Sequence, residues 1–174
     1  LQNKDKFNFI ILRYFNVAGA DQQLRSGQIS SKSTHLIKVL SEVIIGKRNF
    51  IEIFGNDYNT NDGTAIRDFI HVTDLSDIHV KVLEFLLENL ESNIFNCGYG
   101  YGYSVLEVIN TANKIYNGRI NFKISQRRKG DVEKLVSDTS KILNHINWKP
   151  KFNNLESIIT SSVEWEKYLN EKNF

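Results

Sequence analysis

Phe54-Gly-Asn-Asp-Tyr-Asn-Thr-Asn-Asp-Gly-Thr-Ala-Ile-Arg-Asp-Phe-Ile-His71 is the stretch from which the rest of the chain can be read. It holds a polar loop between two apolar runs of strand length, Ile51-Glu-Ile-Phe54 before it and Phe69-Ile-His-Val72 at its end. Gly55 and Gly63 permit left-handed backbone or close backbone approach, and the Asn and Asp residues between them favour turns. A long polar loop fixed between strands is where binding residues collect. Spacing alone leaves a plain connection equally open.

Upstream, Phe9-Ile-Ile-Leu-Arg-Tyr-Phe15 is a continuous apolar run that predicts a strand covered on both faces, as in a parallel sheet. Residues 16–20 leave it through small side chains, and residues 21–32 read as a polar loop. Leu36, Val39, Leu40, Val43 and Ile44 recur at helical spacing, with Ser33 or Thr34 as cap and Gly46, Lys47 and Arg48 as stop signals. Downstream, residues 66–72 predict a strand, and Thr73 or Asp74 caps a helix burying Leu75, Ile78, Val82, Phe85, Leu86 and Leu90. Asn93–Cys97 returns as a strand into Gly98-Tyr-Gly-Tyr-Gly102. Ser104 and Glu107 then form a capping box for a helix closed by Gly118.

Ile120, Phe122 and Ile124 alternate with polar residues, which predicts a half-buried strand. Arg127-Arg-Lys-Gly-Asp131 is a charged loop, Asp138 caps a short helix to His145, and Trp148-Lys-Pro150 interrupts the chain. Leu155, Ile158, Ile159 and Val163 give the last helix. Strands alternating with helices define an α/β protein, here part of a doubly wound sheet plus a smaller lobe.

The 174 residues fit one domain with a sizeable core, and 41% hydrophobic with 24% charged residues is ordinary globular composition. A net charge of +2, from 22 basic and 20 acidic side chains, argues against nucleic acid or an anionic membrane as partner. Short apolar runs give no expectation of a membrane span or signal segment. One cysteine, Cys97, excludes an internal disulfide and suits a reducing, cytoplasmic compartment. The lack of Met and the early strand signal lead to the expectation of a C-terminal piece of something longer.

Four His residues and Cys97 have no metal-ligand spacing, so no metal is expected. Gly98–Gly102 sits between strand and helix but lacks the G-x-G-x-x-G spacing, and is read as a tight turn. His71, at a strand end, is expected to hydrogen-bond within the fold. Arg67-Asp68 and Arg127–Asp131 are two basic sites each beside an Asp. That combination suits a nucleoside diphosphate, guanidinium on phosphate and carboxylate on ribose, with Phe54 able to cover a base. Surface ion pairs account for the same residues without a ligand, and charge runs are commonly solvated.

Leu12-Arg-Tyr-Phe-Asn-Val-Ala-Gly-Ala20, Phe54-Gly-Asn-Asp-Tyr58, Asp62-Gly-Thr64 and Arg67-Asp-Phe-Ile-His-Val-Thr-Asp-Leu75 resemble the UDP-glucose 4-epimerase family of extended short-chain dehydrogenase/reductases. Phe95-Asn-Cys-Gly98, Ser104-Val-Leu-Glu107, Arg127–Asp131 and Trp148-Lys-Pro150 continue the likeness along nearly the whole chain. The resemblance implies residues 1–174 as a C-terminal, substrate-binding half, carrying the last strands and helices of an NAD(P)-binding Rossmann-like sheet. It implies interconversion of UDP-glucose and UDP-galactose by transient oxidation at C4, within galactose metabolism. The NAD-binding region and the Tyr-x-x-x-Lys pair would lie upstream of Leu12. No catalytic residue is therefore expected here, nor turnover by the chain alone, and a homodimer is expected only of the complete protein. The alternative is a non-catalytic remnant that at most binds UDP or a UDP-sugar.

Carried across residue by residue, the resemblance places Tyr14 near the nicotinamide of NAD, and Phe15 and Asn16 at the sugar and diphosphate. His35-Leu36 stands where relatives often have Asn-Leu against the diphosphate, and the imidazole still offers a donor. The strand Ile51, Glu52, Ile53 and Phe54 would hold uracil, with Arg67 and Arg128 on the phosphates and Asp131 on the ribose. Phe69 replaces a common Tyr and lacks its hydroxyl. Leu135 stands where the family selects for or against N-acetylated sugars.

Overall fold

The computed structural model describes residues 7–30, 32–118 and 120–172. In chain order the elements are β1 (Ile10–Tyr14), β2 (Asn16–Ala18), α1 (Leu36–Ile44), β3 (Ile51–Phe54), β4 (Ile66–Arg67), β5 (Phe69–His71) and α2 (Val72–Asn89). Then follow β6 (Asn93–Cys97), β7 (Tyr103–Ser104), α3 (Val105–Tyr116), β8 (Phe122–Ser125), β9 (Lys134–Leu135), α4 (Ser140–His145) and α5 (Leu155–Glu171).

The strands pair as small, mostly parallel sets: β1 with β6, β2 with β5, β3 with β8, and β4 between antiparallel β7 and parallel β9. At Phe15 the chain changes partner. Its amide donates to Cys97 O (3.2 Å), and the next amide, of Asn16, donates to Asp68 O (2.9 Å). The strand expected over 66–72 is likewise broken at Asp68, and Val72 already belongs to α2. Successive residues of β5 face opposite ways. Phe69 joins the core of α1, β3, α3 and α5, while Ile70 joins the core of β6, α2 and α4.

Several sequence expectations shift. β1 is covered on one face only: Ile10 and Leu12 pack toward α2 and α4, while Ile11, opposite Ile94 in register, is 44% exposed. β8 is not half-buried, because α1 packs on β3 and, among the described residues, no helix packs comparably on β8, so Phe122 and Ile124 stay exposed. In α1 the most buried face is Ile37, Leu40 and Ser41 with Lys38 and Glu42, rotated from the apolar stripe read from sequence. His35, not Ser33 or Thr34, is its N-cap. α2 starts on His71, whose Nδ1 accepts from Thr73 N, and ends before Leu90, which is left-handed and exposed. Asn117 rather than Gly118 closes α3 with a left-handed residue, whereas the Ser104–Glu107 capping box is present as read.

His71 is fully buried: Nε2 meets Ser161 Oγ at 3.0 Å and the ring stacks on Phe152. Burial lowers its pKa below the usual 6.5 against the nearby Asp74 and Asp21 charges, which favours the neutral ring. Burial pushes the Cys97 thiol up to about 12. We expect a thiol-titrating disulfide reagent at pH 8 to leave the native protein unmodified and to react once denaturant is added. Rapid stoichiometric labelling of native protein would contradict that burial.

Candidate functional site

A cavity of about 660 Å³ opens between β2, residues 26–28, the start of α1 and the middle of α5. It brings together six of the expected site residues: Tyr14, Phe15, Asn16, His35, Leu36 and Phe69. The N-cap His35 makes no side-chain cap, the first turn of α1 holds no acidic residue, and Leu36, Ile37 and Lys38 line the cavity. Free first-turn N–H groups and the positive helix end therefore meet this space, an arrangement that favours an anion. Tyr14 is 52% exposed at the wall, and its hydroxyl lies 2.6 Å from His79 Nε2. His79 Nδ1 is 2.8 Å from Leu75 O, so Nδ1 donates there and Nε2 accepts from the phenol.

The remaining expected residues form a second group. Ile51 N and Gly55 N donate to Asn121 O and Ser125 O of the β8 side. By the alternation of a parallel pair, the backbone groups of Glu52 and Phe54 then face the other edge, which carries no strand among the described residues. Ile51 and Ile53 are buried, whereas the Glu52 side chain turns outward to Ser125 Oγ (2.5 Å) and Lys123 (3.7 Å). The Arg128 guanidinium lies over the Phe54 ring, 3.8 Å from its centroid. Arg67 pairs with Asp131 and also donates to Val132 O (2.8 Å), and Leu135 lies opposite Arg67 in the β4–β9 register. Only Asp68 separates Arg67 from Phe69 of the cavity, so the two lie at most about 7 Å apart along extended chain.

The middle of the 54–71 stretch is structural. Asp62 accepts from Thr64 N (2.9 Å), Thr64 Oγ1 (2.7 Å) and Ser104 Oγ, tying the loop to the start of α3. Burial pushes the Asp62 carboxyl up, but these hydrogen bonds outweigh it and hold the group below the usual range. Arg127 does not reach the second group: it stacks on Tyr58 at 4.0 Å and pairs with Asp57. Gly63 has φ +78°, and a Cβ there would collide with the Asn56 carbonyl. Gly63→Ala should thus destabilise the fold by roughly 2 kcal/mol or more, read as a lower urea midpoint. An unchanged midpoint would mean that the loop can rearrange at no cost.

Asp68 is the main correction to the reading of paired Arg-Asp sites. It is fully buried and accepts from Tyr99 N (3.0 Å), Gly100 N (3.1 Å), Ser137 N (3.2 Å) and Ser137 Oγ (2.5 Å). The Tyr99 and Gly100 amides of the Gly98–Gly102 turn are thereby taken up by a carboxylate of the chain itself, and Gly98 is packed so closely on Asp68 and Ser137 that no Cβ fits. A dinucleotide pyrophosphate does not fit that turn. Among the described residues no group of three or more His, Cys, Asp or Glu is placed to hold a metal, and no helix is long and apolar enough to cross a membrane.

Sequence reasoning missed Gln28, Lys38, Ser41, Trp165 and Glu166 in the cavity lining. The signal was available for two of them. Lys38 sits within an apolar helix with Glu42 one turn on, and Glu166 continues the Val163 stripe of α5 as a charge at a core position. Tyr168 and Lys172 also have the Tyr-x-x-x-Lys spacing. Lys172 Nζ lies 5.9 Å over the Tyr168 ring, which packs on Trp165, and neither residue lines the cavity.

Comparison with solved structures defines the class. The chain has the Rossmann-like α/β fold of UDP-glucose 4-epimerases, superposing on the enzyme from Stenotrophomonas maltophila, solved with NAD and formylated UDP-arabinopyranose. The TM-score is 0.93 at 31% identity, over 98% of this chain and 51% of that one. The UDP-Glc/GlcNAc 4-epimerase of Campylobacter jejuni is 50% identical, TM-score 0.79, over 96% of this chain and 50% of that one. The UDP-glucose 4-epimerase of Azospirillum brasilense is 44% identical over 162 residues, 93% of this chain and 47% of the relative. Residues 1–98 match the NAD dependent epimerase/dehydratase family, and the chain belongs to it. It spans about half the length of the curated relatives it matches.

Proposed function

We propose that this chain is the sugar-nucleotide-binding half of a UDP-glucose 4-epimerase, acting in galactose metabolism in the cytoplasm, with a homodimer as the complete enzyme. The observation that carries the reading is the short path from Arg67 to Phe69. It joins the Arg–Phe54 group, suited to a nucleotide, to a cavity with an anion-favouring helix start. Uracil would lie on the open edge of β3, where the N–H and C=O groups of Glu52 and Phe54 match an imide. Phe54 and Arg128 would cover its ring. Arg67 and Arg128 would take the diphosphate together with the first turn of α1, and Asp131 would take the ribose hydroxyls.

Phe15, Asn16 and His35 then orient the sugar in the cavity, and Leu36 and Phe69 exclude water around it. NAD, when bound, supplies a reversible acceptor for the C4 hydride. Tyr14, oriented by His79, would present its ring to the nicotinamide. Proton transfer at the C4 hydroxyl is assigned to no residue of this chain.

Calorimetric titration of the purified chain with UDP, UDP-glucose and UDP-N-acetylglucosamine tests the reading, with AMP as control. UDP and UDP-glucose should bind and AMP should not. AMP binding as tightly as UDP, or no heat with UDP, would overturn it. The N-acetylated sugar reports on Leu135, which is half-exposed beside Arg67.

A further inference from the structure

Two adjacent residues of α5 hold both sides of the cavity. Trp165 Nε1 donates to Gln28 O at 3.0 Å, and the indole lies so close to Gly27 that a Cβ there would come within 2.5 Å of it. From Gln28 the link continues: Gln28 Nε2 donates to Ser33 Oγ (3.1 Å), and the same oxygen accepts from His35 N (3.1 Å). Glu166, with 2% of its side chain exposed, pairs with Lys38 on the opposite wall, and Lys38 lies 3.5 Å from Glu42. Lys47 stands 3.9 Å from the other Glu166 oxygen, which has no hydrogen-bond partner, and Arg48 pairs with Glu42 and donates to Ser33 O (3.2 Å).

We propose that Trp165 and Glu166 are positioning residues that set the separation between the 26–28 wall and the start of α1, and with it the fit of the sugar diphosphate. The proposal rests on the epimerase reading of the cavity. A buried ion pair is weak evidence for stability but strong evidence for a fixed geometry, since removing one partner strands the other charge. Here the geometry it fixes is that of His35 and Leu36, and the indole fixes Gln28 facing them. Neither residue is assigned a contact with the reacting atoms.

The test uses the whole chain and two probes, UMP for the Phe54–Arg128 group and UDP-glucose for that group plus the cavity. Glu166→Gln and Trp165→Phe should each weaken UDP-glucose binding roughly tenfold and leave UMP binding unchanged. The double variant Lys38→Gln/Glu166→Gln, a neutral pair able to hydrogen-bond, should restore most of the UDP-glucose affinity. Parallel loss of UMP binding would mean general damage and would overturn the proposal, as would unchanged UDP-glucose binding. Failure of the double variant to recover would place Lys38 in direct ligand contact and overturn it too. Urea midpoints check folding, and Trp165→Phe, which strands no charge, carries the test if Glu166→Gln does not fold. A wild-type chain that binds neither probe removes the epimerase reading, and this proposal falls with it.

Discussion

Arg128→Ala should weaken UDP binding by about 1.5–3 kcal/mol, roughly 10- to 150-fold, while leaving the urea midpoint of the chain in place. The side chain is exposed, and its recorded contact is the stack on Phe54. Its removal therefore subtracts a charge-assisted phosphate contact and a cover for the base without opening the core. Arg128→Lys keeps the charge but loses the planar fork and the stack, so an intermediate loss is expected. Arg67→Ala should cost as much affinity and also some stability, because Arg67 holds Asp131 and the Val132 carbonyl. Calorimetry with UDP reads each variant directly. Unchanged affinity in both alanine variants would refute the assignment of this group to the nucleotide.

The largest expected effect on stability belongs to Asp68→Ala, about 3–5 kcal/mol in a urea unfolding experiment. The substitution leaves the Tyr99 and Ser137 amides and the Ser137 hydroxyl without their acceptor inside the protein, and Gly100 N keeps only its bond to Ser137 Oγ (3.1 Å). Those donors lie on the Gly98–Gly102 turn and at Ser137, so one carboxylate joins β6, the segment after β9 and the break between β4 and β5. Whole domains are stable by only about 5–15 kcal/mol, so a loss of this size removes a large share of the total. Asp68→Asn should cost less, since its carbonyl oxygen still accepts while its amide group faces donors. A loss below about 1 kcal/mol for Asp68→Ala would show that water replaces the carboxylate.

Some local signals in the sequence were dependable, although the caps of α1 and α2 and the end of α3 fell on other residues than those read. The Ser104–Glu107 capping box, the β3 run Ile51–Phe54 and the α5 stripe Leu155, Ile158, Ile159 and Val163 were readable because each depends on neighbours two to four positions away. Burial was not readable in the same way. Phe122 and Ile124 alternate as a half-buried strand should, yet among the described residues no helix packs comparably on β8, and Ile11 has the composition of a covered strand but faces outward.

The site was legible in parts. Six expected residues meet in the cavity, and the pairing of Arg67 with Asp131 unites two segments 64 positions apart. Asp68 was misread because an Asp beside an Arg looks the same whether it faces a ligand or a glycine turn; only tertiary packing separates the two. Lys38 and Glu166 were passed over because each sits within an apolar stripe, and their partnership spans 128 positions.

That span has a consequence for how the protein is made. The cavity walls near residues 19, 28 and 38 are fastened to α5 by bonds reaching 143, 137 and 128 positions along the chain. Synthesis proceeds at about 5–20 residues per second, so the first wall waits on the order of ten seconds for the helix that fastens it. β1 is in the same position, pairing with β6 some 83 residues later. Long-range pairing of this kind slows folding and leaves apolar strands unpaired on a nascent chain. On a ribosome-bound chain with β1 emerged and β6 still to come, the apolar residues of β1 have no partner strand.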